Sequence, residues 1–358
     1  MVEPAPDLPV DRLAGSPFLA ACRALPHDRT PVWFMRQAGR SLPEYRAIRG
    51  TGSILEAIAD PELSAEITLQ PVRRYGVDAA ILYSDIVVPA HAVGFGVDVK
   101  PGVGPVVDRP FERAADLQRL RPLEPDEDTP YVLETVRHAV AEAKVPLIGF
   151  AGAPFTVASY LIEGAPSRTY SRTKALMLGD PGLWHDLMER LADMAIASLL
   201  SQVAAGASAI QLFDSWAGAL SPPVYERCVL PHSRRVFEAI AGTGVPRIHF
   251  GVGTGEILGL MASADTDVVG VDWRVPLDEA RRRLGPDVVL QGNLDPAVCL
   301  GPPDEIAEVV TTEVEDVLVR NGGHPGHVFN LGHGVMPETD PVVLERVVEQ
   351  VHAHPLSA

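Results

Sequence analysis

The sequence predicts a single α/β domain of the (β/α)8, or TIM-barrel, class. Eight short β-type runs can be counted along the 358 residues. Most are continuously apolar rather than alternating, which fits parallel strands buried on both faces. Most are also separated by segments of helical period, and eight strands alternating with helices is the count of a closed barrel. A doubly wound sheet usually has fewer strands and a break in composition between its halves, and no such break is visible.

The β-type runs cover 32–35, 79–83, 147–150, 209–213, 247–250, 268–271, 288–291 and 328–331. Between the first two, 53–75 has a helical pattern through Ile54, Ile58 and Ile67, with Asp60-Pro61 as a start signal partway along. Leu183, Leu187, Leu191 and Met194 form one stripe of a long helix that Gly206 closes. Segments 304–319 and 340–351 repeat the helical pattern. The connection after the second run, 85–146, is about 60 residues long. A structureless loop of that length is unusual in a compact domain, so it reads as a small β-extension followed by a helix over 131–144. Residues 1–15 read as a flexible N-terminal segment, and 16–355 as the barrel.

Composition narrows the function. The formal net charge of −17 and pI near 5.0 argue against binding nucleic acid or an anionic membrane, both of which need basic surface. The three lysines, Lys100, Lys144 and Lys174, do not end apolar runs, so Schiff-base chemistry has no placed amine. Cys22, Cys228 and Cys299 are odd in number and far apart, which suggests a reducing compartment without a disulfide framework. The first residues resemble no signal or transit peptide, and no apolar run reaches the ~18 residues of a spanning helix. The expectation is a cytoplasmic globular protein. The Gly251–Gly255 stretch, GVGTG, is not a dinucleotide-binding fingerprint.

In a barrel, chemistry gathers at the C-terminal ends of the strands. The first run ends at Arg36, with Gln37, Ala38, Gly39 and Arg40 following: a cationic patch on an acidic chain. The second ends Tyr83-Ser84-Asp85, and the third leads through Gly152-Ala-Pro-Phe to Tyr160. The fourth ends Asp214-Ser215-Trp216, the sixth Asp272-Trp273, the seventh Gln291-Gly-Asn293, and the eighth runs Asn330-Leu-Gly-His333-Gly. Each has a purely structural alternative. Asp85 suits a helix N-cap, Arg36 and Arg40 suit surface bridges to Glu44 and Glu56, and His249 suits the core. His324, His327 and His333 lack a metal-binding spacing. Taken together, these strand ends describe an anion-binding pocket with one carboxylate, Asp85, inside it. That carboxylate makes sense opposite something that is, or becomes, positive.

These residues carry a resemblance. The chain is similar to the uroporphyrinogen decarboxylase family from Ser16 to Pro355, through PVWFMRQAGRSLPEYR (31–46), YSDI (83–86), GFAGAPFTVASYLIEG (149–164), QLFDSWAG (211–218), QGNLD (291–295) and FNLGHGV (329–335). Ser41 stands where that family more often has an aromatic residue. The resemblance implies a homodimeric single-domain barrel that acts without metal or organic cofactor. It implies loss of four acetate carboxyls of the tetrapyrrole uroporphyrinogen III as CO2, giving coproporphyrinogen III. Arg36 and Arg40 would clamp substrate carboxylates, within a binding stretch that includes Gln37, Ala38 and Gly39. Asp85 would face the pyrrole N–H groups, and Ser215 would hydrogen-bond a carboxylate. Arg36 is a proton-donor candidate by position, but guanidinium is a poor acid; His333, Tyr160 or a bound water remain candidates. Two rival readings are a zinc- or cobalamin-type methyltransferase of the same fold and a non-catalytic tetrapyrrole carrier. The first would need a His-x-Cys near the fifth strand, where the chain reads His249-Phe250-Gly251.

Overall fold

Seven parallel strands follow one another in chain order around a curled sheet: β1 (Ala80–Ile81), β4 (Leu147–Gly152), β5 (Ala209–Phe213), β6 (Arg247–Phe250), β7 (Val268–Gly270), β8 (Val289–Gln291) and β9 (His327–Val328). The computed structural model describes residue 13, residues 15–100 and residues 102–356. Apart from residues 13 and 15, the N-terminal segment expected over 1–15 lies outside the described residues.

The first expected strand, 32–35, is reduced to one parallel bridge between Val32 and Phe329, yet it closes the barrel. On one side the Trp33 N–H donates to the Phe329 carbonyl at 3.3 Å; on the other the Asp78 N–H donates to the Val32 carbonyl at 2.8 Å. Side chains replace the missing ladder. Asp78 Oδ2 accepts from Val32 N, Gln37 Oε1 from Phe34 N and Asn330 Oδ1 from Met35 N, at 2.8–3.1 Å. The apolar run was legible as a barrel stave, but its backbone turns away too soon to pair as a strand.

Strand interiors are buried on both faces, as their continuous apolarity requires. Inside the barrel a polar chain crosses it: Trp33 Nε1 donates to Gln291 Oε1 at 3.1 Å, and Gln291 Nε2 donates to Gln211 Oε1 at 2.9 Å. Both groups of the Gln291 amide thereby have a partner, as burial favours, while Gln211 Nε2 has none among the described residues.

The expected 53–75 segment is two helices, Ile54–Ile58 and Pro61–Tyr75, with Asp60 as N-cap accepting from Leu63 N. The long helix is Pro181–Ala205, burying Leu187, Leu191 and Met194 and ending at Gly206 with φ 123°. The last two helices are Ala307–Asn321 and Pro341–Ala353. Many helices here start on proline, whose fixed φ suits the first turn and whose missing N–H is not needed there.

The connection after β1 contains an antiparallel hairpin, β2 (Val97–Lys100) with β3 (Gly104–Val107), and then helix Pro130–Glu142. Phe95, Val97, Val107 and Phe111 pack into the cluster that holds Phe155, Leu161 and Trp184. The Val107 and Phe111 N–H groups donate to Gly164 and Leu161 carbonyls, both at 2.8 Å. The extension therefore braces helix Pro154–Glu163, which carries Tyr160. No helix among the described residues is long and apolar enough to cross a membrane.

Candidate active site

Two loops that the sequence separates by almost 300 residues meet at the barrel mouth. Arg36 takes a left-handed backbone, φ 60°, which ends the first stave and turns its side chain across the 330–334 loop. A Cβ on Gly334 would come 2.5 Å from Arg36 Cδ and 2.8 Å from Cγ, so only glycine admits the arginine there. On the other side of His333, a Cβ on Gly332 would collide with the Trp273 backbone N and approach its Cβ at 2.9 Å. The glycines on either side of His333 thus admit Arg36 and Trp273.

Arg36 and Arg40 are exposed, and neither forms an ion pair among the described residues. The bridges to Glu44 and Glu56 that would have made them ordinary surface residues are absent: Glu44 pairs with Arg74, and Glu56 accepts from Ser53 N. The Gln37 side chain is buried and committed to backbone, accepting from Phe34 N and donating to the Ala79 carbonyl, both at 3.0 Å. It cannot also reach a ligand. Its contribution is to hold the turn, leaving Ala38 and Gly39 part-buried beside the two arginines.

Asp85 lies just beyond β1 and is part-buried. Its Oδ1 accepts from Val87 N at 3.0 Å, so the cap reading is correct for one oxygen. The other takes no hydrogen bond from the described residues and is free for a ligand. Burial raises the Asp85 carboxyl above the usual range, against the pull of the Val87 N–H and of Arg36. Tyr160 is raised too, chiefly by burial and then by Asp85, with Arg36 opposing. Asp85, Arg36 and Tyr160 thus share one electrostatic environment. Burial, then Arg36, pushes the His333 imidazole down to about 4, with Asp272 pulling up and Arg274 adding to the depression. In the free protein at neutral pH, His333 is therefore an uncharged ring.

One wall of the site rests on a buried network. Thr156 Oγ1 donates to Asp214 Oδ1 at 2.9 Å and accepts from Trp216 N at 3.3 Å. The Trp216 ring centroid lies 3.9 Å from that of Tyr160 and 5.0 Å from that of Tyr170. Thr156 and Tyr160 lie one turn apart on helix Pro154–Glu163, and Ser215 sits between Asp214 and Trp216. The network thereby fixes Tyr160 relative to Ser215. The sequence reading gave Thr156 and Trp216 no role in the wall, although the 149–164 and 211–218 runs contain them, and it missed Tyr170; the Thr156–Asp214 contact joins residues 58 apart.

Other expected positions are structural. His249 is fully buried, its Nε2 3.9 Å from Asp214 Oδ2, so it belongs to the core behind the wall. All three cysteines are buried, and burial pushes the Cys299 thiol up to about 12. No group of three His, Cys, Asp or Glu side chains among the described residues is placed to hold a metal ion.

A polycarboxylate fits these parts: free guanidiniums, a carboxylate with a spare oxygen, a phenol, a hydroxyl and a neutral imidazole. The uroporphyrinogen decarboxylase (URO-D) family profile matches residues 14–354. A uroporphyrinogen decarboxylase of Streptomyces coelicolor is 62% identical over 338 residues, covering 94% of each chain. One from Saccharopolyspora erythraea is 57% identical over 99% of each. Among solved structures, a methyltransferase from Methanosarcina mazei superposes with a TM-score of 0.76 at 22% identity, over 94% of this chain and 97% of that one. At that identity the likeness speaks for the fold alone.

Proposed function

The chain belongs to the uroporphyrinogen decarboxylase family, and from that premise we propose how its site works. It is a carboxy-lyase: it removes the four acetate carboxyls of uroporphyrinogen III as CO2 and yields coproporphyrinogen III. The observation that carries this reading is the Arg36 guanidinium, free of any ion pair among the described residues, acting on a part-buried carboxylate, Asp85, that keeps a free oxygen. An octacarboxylate needs the first, and a ring of pyrrole N–H donors needs the second.

Arg36 and Arg40 bind substrate carboxylates through their planar forks, and Ser215 hydrogen-bonds another. Asp85 accepts from the pyrrole N–H groups. A proton added to a pyrrole ring carbon makes that ring cationic, and Asp85 stabilises the cation electrostatically. The C–CO2 bond of the acetate arm then breaks, its electron pair passing into the ring. The methylene carbon takes a proton to become methyl, and the ring carbon loses its own. One proton is consumed per CO2, and the pyrrole is its own electron sink, the task a carbonyl cofactor performs elsewhere.

Tyr160 and His333 serve the proton steps. The raised Tyr160 phenol donates a hydrogen bond rather than a free proton. His333, neutral in the free enzyme, takes up a proton once substrate carboxylates enter beside it. Arg36 remains a clamp. We further propose that the enzyme is a cytoplasmic homodimer, which size-exclusion chromatography with light scattering tests for the dimer.

The methyltransferase reading has no support at the site: β6 offers His249-Phe250 with the imidazole inside the core, and the thiols are buried. A carrier would have no use for the raised carboxyl of Asp85. The experiment is a count of product carboxyls from uroporphyrinogen III, with no metal or cofactor added. A tetracarboxylate with four CO2 per substrate is expected, and an unchanged octacarboxylate overturns the reading.

A further inference from the structure

The loop after β7 carries a third arginine at the mouth, and we propose that Arg274 anchors a substrate carboxylate beside His333, next to Trp273. This rests on the decarboxylase reading above and adds a binding residue to it.

The argument is first geometric. His333 lies between two glycines: Arg36 crosses Gly334 on one side, and Trp273 packs against Gly332 on the other. The Arg274 guanidinium carbon lies 3.9 Å above the Trp273 ring. The two arginines therefore flank the backbone that carries His333, and both act on its imidazole. Phe250 lies 6.4 Å from it, ring centre to ring centre, and supplies an apolar neighbour in a part-buried setting.

Arg274 is also held ready. Its NH1 donates to Asp272 Oδ2 at 2.6 Å and its backbone N to Asp272 Oδ1 at 3.0 Å. Asp272 is itself buried and also accepts from Gly253 N. The ion pair and the aromatic ring fix the guanidinium, while its Nε and NH2 take no acceptor among the described residues. The Arg274 side chain is 51% exposed, against 1% for Asp272. An arginine fixed by a buried carboxylate, with part of its fork free, loses little freedom on binding an anion. Its field also reaches His333, whose basicity it lowers together with Arg36. A carboxylate seated beside Arg274 would reverse that effect on the ring. Two guanidiniums are few for eight carboxylates, and Arg274 offers a further one where the acid–base group stands.

The test is steady-state kinetics on uroporphyrinogen III with wild type, Arg274→Gln, Arg274→Lys and, as a surface control, Arg282→Gln on the outer helix Leu277–Leu284. Loss of one charge-assisted contact should raise KM about tenfold for Arg274→Gln, with kcat within about twofold. Arg274→Lys should fall between it and wild type, and Arg282→Gln should match wild type. A KM within twofold of wild type overturns the proposal, as does a fall in kcat at unchanged KM. Should Arg274→Gln melt early because Asp272 has lost its partner, Arg274→Lys decides: it keeps the charge but not the fork, and an unchanged KM overturns the proposal. Wild-type protein without turnover would instead overturn the decarboxylase reading, and this inference with it.

Discussion

At the scale of single residues, environment divides the acid–base groups of the mouth. Asp85 is raised by burial, so kcat/KM should fall as pH drops through its raised pKa and the anion is lost. His333, pushed down to about 4, is neutral in the free enzyme at neutral pH. Replacing it in His333→Asn should leave the acidic limb of kcat/KM in place while moving that of kcat, because bound substrate carboxylates raise the imidazole beyond what Asp272 does in the free enzyme. A kcat profile unchanged in that variant would exclude His333 as the titrating acid. Arg36, Asp85 and His333, which the fold brings near one another, could be picked out because each ends, or closely follows, a run that had to be a strand. Arg274 could not. The sequence reading stopped at Asp272-Trp273, and nothing in a string of letters says that an exposed arginine is pinned by an aromatic face and a buried carboxylate. Gln37 shows the opposite failure. Its place inside the arginine stretch suggested a ligand contact, but its fully buried amide holds the turn.

At the scale of elements, two contacts set the site's shape. Thr156 joins helix Pro154–Glu163 to the end of β5, so Thr156→Val should leave Asp214 and the Trp216 N–H without their partner. A loss of about 1–3 kcal/mol in stability is expected from unsatisfied buried groups. Turnover should fall through misplacement of Tyr160 and Ser215, with recovery in Thr156→Ser; chemical denaturation and kinetics on the same samples check both. The closing stave depends on Asp78, which accepts from Arg29 at 2.7 Å, Val32 N at 2.8 Å and His352 at 2.7 Å. Burial alone would raise its carboxyl, but His352, the Val32 N–H and Arg29 together hold it below the usual range. Its contribution to stability is thus present at neutral pH and lost as pH falls through the lowered pKa. Asp78→Ala should cost about 3 kcal/mol or more, by removing one partner of a buried charged network, and a guanidinium titration at pH 7 measures it. The strand run at 32–35 was read correctly as part of the barrel. Its reduction to a single bridge was not foreseeable, because the bonds that replace the ladder come from Asp78, Asn330 and Gln37, two of them distant in sequence.

For the whole molecule, the barrel order and the bracing extension followed from apolar runs and the long 85–146 connection, both properties of the chain itself. The mouth is a property of closure, since Arg36 and His333 become neighbours only when the first stave meets β9. The folded chain also buries imidazoles: His327 and His232, like His333, are pushed down to about 4 chiefly by burial. A histidine kept neutral in the fold contributes stability above its unfolded pKa near 6.5, and that contribution is lost as pH falls towards 4. The melting temperature should therefore drop between pH 6.5 and 4, and a flat profile would contradict the burial of these rings.

The account centres on Asp85 as the anion that faces the cationic pyrrole, with the arginines holding the carboxylates around it. The most direct measurement is single-turnover CO2 release from uroporphyrinogen III by Asp85→Asn beside wild type, at substrate levels that saturate both. The amide keeps much of the hydrogen-bonding shape but not the charge, so the rate should fall by at least ~10²-fold with the substrate still bound. A rate within a few-fold of wild type would remove Asp85 from the chemistry and leave the arginine-lined mouth without a catalytic centre.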